Sequence, residues 1–495
     1  MSSYTELESR FRRIGALEEA EGILHWDMSV IMPNGGAGSR AEQLAAMKLT
    51  IHELLTDPLL EDLLNDAETQ SLDDIWQLAN LREMRRRWQH ANALDGELVE
   101  ALSKSSSKCE MIWREARPKN DFAAVSDALS EVLNLVRQKA ETKASTLGVS
   151  PYEALLDQFE PGTRIVDIDR LFDDLASFLP NFLDDALSRQ EAAGEPLKPV
   201  GPFDLTAQQK LAAKLMEHVG FDFDHGRLDI SLHPFCGGVP DDVRITTRYE
   251  EDDFAQSLMG VLHETGHAMY ERGLPVEWRL QPVGQARGMA LHESQSLLVE
   301  MQICRGSEFL TFAAPLMRDA FNGSGAAWAP DNMQRLQARV ERGFIRVDAD
   351  EVTYPAHVIL RYRLERALIS GEMQISDLPT AWNDGMKELL GIVPETDREG
   401  CLQDIHWFDG AFGYFPTYTM GALAAAQIYQ AASGADRNIK PAISEGDFGP
   451  LMTWLRTNIH GKGSVGTTDE ILTEATGLPL GTEAFKSHLK ARYLN

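Results

Sequence analysis

Two histidines one helical turn apart constrain this chain more than any other feature. They lie in the run His263-Glu264-Thr265-Gly266-His267. Residues i and i+4 share one face of an α-helix, so in a helix both imidazoles can reach one cation. The flanking sequence fits a helix over 250–272, with Phe254, Leu258, Val261, Leu262 and Met269 near helical spacing. Asp252 or Asp253 is placed to cap its start, and Gly273 and Pro275 follow its end. Glu264, beside the first imidazole, is positioned to take a proton from water. This pattern points to a metal-assisted hydrolytic site with Glu264 as general base.

A catalytic zinc needs a third protein ligand and an open position. A third His six residues past His267 would be the metzincin arrangement, but that position is Gly273. The alternative is a carboxylate from a following helix. A second helix is expected over 284–305, and Met289, Glu293, Leu297 and Glu300 fall on one of its faces. Glu293, 26 residues past His267, is the preferred ligand, with Glu300 second. The metal is read as one divalent ion, zinc, with cobalt fitting similar ligands.

Length alone allows two or three domains in 495 residues. Most of the chain reads as helix, notably 5–89 and 94–144, and strand-like alternation is confined to 227–232 and 243–249. These two segments flank a His-Pro-Phe turn and suggest a small sheet edge beside the active cleft. The pattern therefore supports a mainly α fold with a small β element. A net charge of −29 argues against nucleic acid as a partner. No membrane span is expected, for want of a run of about 20 apolar residues. The N-terminus lacks a signal-peptide core. Cys109, Cys236, Cys304 and Cys401 are far apart and read as free thiols in a reducing cytoplasm. Cys401 has no partner that would make it a nucleophile.

Several ordered motifs resemble the carboxypeptidase Taq family of metallocarboxypeptidases. They are the HExxH run, His292-Glu293-Ser294-Gln295-Ser296, His233-Pro234-Phe235, and the DxRxT run Asp242 to Thr246. The IRxxAD run Ile345 to Asp350 and the GxxQ run Gly400 to Gln403 complete the set. Family-like stretches also occur at 25–28, 152–162 and 412–421, so the likeness spans nearly the whole chain. One local departure is Arg287, where a small residue is expected.

The resemblance implies a single catalytic unit over 1–495, with two helical lobes around a deep central groove, forming a homodimer. It implies a carboxypeptidase acting on peptides with a free C-terminus, of broad specificity and disfavouring C-terminal Pro. An oligopeptidase or dipeptidyl carboxypeptidase is the alternative, and a catalytically dead scaffold would lack a ligand or the base. By analogy with related helical metallopeptidases, Tyr418 and His406 are expected to stabilise the oxyanion. Arg346 and Arg244 are the candidates for the terminal carboxylate, each with a structural ion pair as its alternative (Asp350 and Asp242). His233 and Phe235 are expected in the groove wall, and Gln403 as a hydrogen-bonding groove residue.

Overall fold

The computed structural model describes residues 2–231 and 234–494. His233 and Leu232, the end of the first expected strand, lie outside the described residues. The fold is mainly α, with a small sheet. In the N-terminal part, helices Ser3–Val30, Ala37–Leu55, Pro58–Glu68 and Ile75–Asn92 close around a small core of their own, including Leu7, Phe11, Ile14, Leu60, Leu64 and Met84. Asp57, Asp74, Asp95 and Asp121 each cap a helix through backbone N–H groups, which explains the punctuation of this Gly-poor stretch. The remaining helices pack around one large apolar core.

Three strands form one sheet among the described residues: β1 (Gly226–Ile230), β2 (Phe235–Val239) and β3 (Asp242–Thr247). β3 is central, parallel to β1 and antiparallel to β2. The sequence pattern indicates β1 and β3 but not β2. Its Phe-Cys-Gly-Gly-Val run has no alternation, and Gly238 sits at φ +82°. Pairing with β3 makes it an edge strand that begins at Phe235.

The HExxH helix runs Phe254–Gly273, four residues shorter at its start than expected, because Asp253 caps it by accepting from Ala255 and Gln256 N–H. The following segment departs further. A 3-10 turn at Pro282–Gly284 gives way to non-helical chain, and the return helix begins only at Met289. After Leu297 it widens into a π-helical segment, Leu298–Cys304. The Ala- and Gly-rich helix Pro416–Ala435 lies against the return helix, with Gly421 facing Glu293. Together these elements border a groove of about 1170 Å³. No helix among the described residues is long and apolar enough to cross a membrane.

Candidate metal centre

The two helices approach closely at the motif because Gly266 has no side chain. A methyl group there would stand 2.6 Å from Ser296 Cα and 2.8 Å from the Gln295 carbonyl carbon. Close approach brings His263, His267 and Glu293 together, with one ligand atom of each within 4.8 Å of the others. His267 Nε2 lies 3.4 Å from Glu293 Oε2, and His263 Nε2 lies 3.9 Å from the same oxygen. Ligand atoms at roughly 2.1 Å from one tetrahedral ion stand about 3.4 Å apart, so the set fits a single ion.

The other ring nitrogens support the same assignment. His267 Nδ1 donates to the His292 carbonyl at 3.2 Å, and His263 Nδ1 lies 2.9 Å from Glu300 Oε2. Both acceptors hold the proton on Nδ1 and leave the Nε2 lone pairs facing Glu293. Burial disfavours a charged His263, yet the carboxylates of Glu293 and Glu300 raise its pKa to about 10. Burial, and then His292, lower His267 to about 4. The raised His263 value reflects the carboxylates around its ring, whose charge a cation at Nε2 would balance in place of a proton. Arg305 completes the chain by donating to Glu300 Oε1 at 2.6 Å. Glu300, the second ligand candidate, therefore stands behind His263. Glu300 lies in the first turn of the π-helical segment.

Glu264 faces the groove beside the ligand set. Its carboxylate accepts the backbone N–H of Cys236, so edge strand β2 holds it in place. Burial first, and then the nearby Glu293 charge, raise its pKa. Phe235, the residue before Cys236 in β2, also lines the groove.

Across the groove lie Tyr354, Tyr414 and Tyr418. The Tyr418 ring packs edge-on against Tyr414 at 5.1 Å and Tyr354 at 6.1 Å. Burial raises the Tyr418 phenol, so it remains a proton donor near neutrality. His406 sits behind this wall and is not among the groove-lining residues. Its ring packs on Phe415 at 4.5 Å, and burial lowers its pKa to about 4.

Arg346 lines the groove, under the Tyr418 ring at 5.1 Å, and donates to the Tyr354 hydroxyl at 3.1 Å. Its ion-pair partner is Asp404, at 2.8 Å, rather than the expected Asp350. Asp350 instead accepts from the N–H groups of Glu341, Val352 and Thr353. Arg361 pairs with the same Asp404 at 2.6 Å, so two guanidiniums share one carboxylate. Burial keeps His357 neutral beside them, with a pKa of about 3. The cluster has a net positive charge at the groove wall.

Arg244 is placed elsewhere. It pairs with Asp242 at 2.5 Å, lies over the Trp26 ring at 4.6 Å, and is absent from the groove lining. Gln403 accepts from the Arg346 backbone N–H at 2.8 Å, and its amide donates to the carbonyls of Phe344, Glu399 and Gly400. It thus holds the Arg346 loop against the Gly400 turn. Tyr354 and Tyr414 were not anticipated from sequence. Tyr354 follows Asp350 by four residues, and that adjacency was the available signal.

Comparisons with known proteins agree with this geometry. The profile of the carboxypeptidase Taq (M32) metallopeptidases matches residues 6–493. Thermostable carboxypeptidase 1 of Thermus thermophilus is 36% identical over 503 residues, covering 99% of this chain and 98% of its own. Among solved structures, Trypanosoma cruzi metallocarboxypeptidase 1 superposes with a TM-score of 0.97 at 41% identity, covering 100% of this chain and 99% of its own. The M32 carboxypeptidase of Deinococcus radiodurans R1 gives 0.94 at 31% identity, over 99% and 98% of the two chains.

Proposed function

Because the chain belongs to the carboxypeptidase Taq (M32) metallopeptidase family, we propose that it releases single amino acids from the free C-terminus of peptides. Side-chain tolerance is broad, and C-terminal Pro is disfavoured. The observation that carries this reading is that one groove holds both the His263, His267 and Glu293 set and Arg346.

His263, His267 and Glu293 would hold one divalent ion, zinc or alternatively cobalt. When bound, the ion polarises the scissile carbonyl and acidifies a water. Glu264 takes that proton on its carboxylate and delivers it to the leaving amine nitrogen. Tyr418 donates from its hydroxyl to the developing oxyanion, and His406 supports the wall on which Tyr418 stands. The surplus positive charge of Arg346 and Arg361 over Asp404 attracts the terminal carboxylate, with Arg346 the nearer cation. Arg244 contributes by stiffening the sheet that carries Phe235 and Cys236.

We take the whole chain as one catalytic unit of two lobes, working as a homodimer in the cytoplasm. Its four cysteines are all unpaired, which suits a reducing compartment. Mass spectrometry of digests of an N-terminally blocked peptide tests the activity. Successive single-residue losses from the C-terminus are expected, whereas dipeptides or internal fragments would establish a dipeptidyl carboxypeptidase or oligopeptidase instead.

A further inference from the structure

The return helix that carries Glu293 has an N-cap with no side chain. Gly288 occupies that position, and no local side chain accepts from the first turn. The unpaired N–H groups of a helix start need partners, and here they come from a loop some 130 residues earlier. The Phe159 carbonyl accepts from Met289 N–H at 2.8 Å, and Glu160 Oε2 accepts from Ala290 N–H at 2.8 Å.

Glu160 is wholly buried, and the Thr468 hydroxyl donates to its other oxygen. The same loop is gripped by Arg287, which donates to the Pro161 carbonyl at 3.1 Å and to Glu83 at 2.7 Å. This bracket accounts for the unexpected Arg at position 287. Gly288 is required for the approach, since a methyl group there would stand 2.5 Å from Glu160 Oε2.

We infer that Glu160 is a positioning residue for metal binding, acting as a long-range N-cap that sets the axial position of the helix bearing Glu293. The inference rests on the metal site proposed above. The mechanism depends on reach and not on charge. Burial raises the Glu160 pKa to about 7, and a carboxyl, a carboxylate or a primary amide each present an accepting oxygen to Ala290 N–H. Shortening the side chain withdraws that oxygen, whereas amidation leaves it in place.

Zinc titration of the metal-stripped full chain at 25 °C, by chelator competition, tests this with two variants. Glu160→Asp keeps the charge and loses the reach; Glu160→Gln keeps the reach and loses the charge. The expected result is about tenfold weaker zinc binding in Glu160→Asp, the size typical of an outer partner of a metal ligand. In Glu160→Gln the zinc affinity stays within about threefold of the parent. Turnover of Glu160→Asp at saturating zinc should show a lower kcat with little change in KM. Equal zinc affinity in Glu160→Asp and parent overturns the inference even if Glu160→Asp melts earlier, and so does a loss in Glu160→Gln as large as in Glu160→Asp. A parent chain that binds no zinc removes the metal site itself and the inference with it.

Discussion

Replacing Gly266 by Ala sets two effects of opposite sign against each other. In a helix interior, Gly→Ala gains about 1 kcal/mol of intrinsic propensity. At Gly266 the new methyl would lie 2.6 Å from Ser296 Cα and 2.8 Å from the Gln295 carbonyl carbon. Carbon atoms rest at about 3.5–4.0 Å, so the return helix must retreat by roughly 1 Å. Such overpacking typically costs about 1–3 kcal/mol, so the balance is expected to be a net loss of about 1 kcal/mol. Glu293 lies three residues before Ser296 and moves with it, so zinc affinity should fall by about tenfold. Gly260, on the same helix, is the control, because a methyl group there meets nothing within 4 Å. It lines the groove, so the comparison is read on stability alone. Urea midpoints of the metal-stripped variants should move in opposite directions, up for Gly260→Ala and down for Gly266→Ala. A Gly266→Ala variant that is as stable as Gly260→Ala and binds zinc like the parent would refute the close-approach argument.

Glu264→Gln should bind zinc as the parent does while kcat falls by about 10²–10⁴, the usual weight of a general base; normal turnover with metal bound would remove Glu264 from that role. Glu300→Ala takes away the acceptor behind His263, and zinc affinity measured by competition should drop about 10- to 100-fold. Arg346→Met should lower kcat/KM for peptides with a free C-terminus by about 10- to 100-fold, the loss of a charge-assisted contact. Amidated peptides should be cleaved no worse by that variant than by the parent, and equal losses on both substrates would count against carboxylate capture. Burial, reinforced by Lys139, holds Lys143 at a pKa of about 7, well below 10.5. Between those values the unfolded chain binds the extra proton, so this group makes stability rise with pH across that window and contributes no slope below it. Urea midpoints at pH 7 and pH 9.5 should rise less in Lys143→Met than in the parent; an unchanged difference would contradict the shift.

Much of the site was legible because its central relation is local. One turn separates His263 from His267, and Glu264 necessarily follows the first imidazole, wherever the helix packs. Glu293 could be proposed ahead of Glu300 from its place on a second helix, whereas the position of Glu300 behind His263 is a finding of the structure. The π-helical segment that carries Glu300 has no signature in a 3.6-residue pattern. Strand β2 was missed for a related reason, since its Gly-rich run carries no alternation and becomes a strand only by pairing with β3. The arginines differ in the same way. Arg244 and Asp242 are two residues apart and find each other locally, whereas Arg346 pairs with Asp404, 58 residues away.

Residue spacing by itself determined the mainly helical fold and the pairing of His263 with His267 beside Glu264, because helix geometry places i and i+4 together without help from the rest of the chain. The tertiary structure alone decided that Glu300 stands behind His263, which cations face the groove, and that Glu160 caps the return helix. Those relations join segments tens to hundreds of residues apart. They depend on how closely glycines such as Gly266, Gly288 and Gly421 let backbones and side chains approach, and no local periodicity encodes that distance.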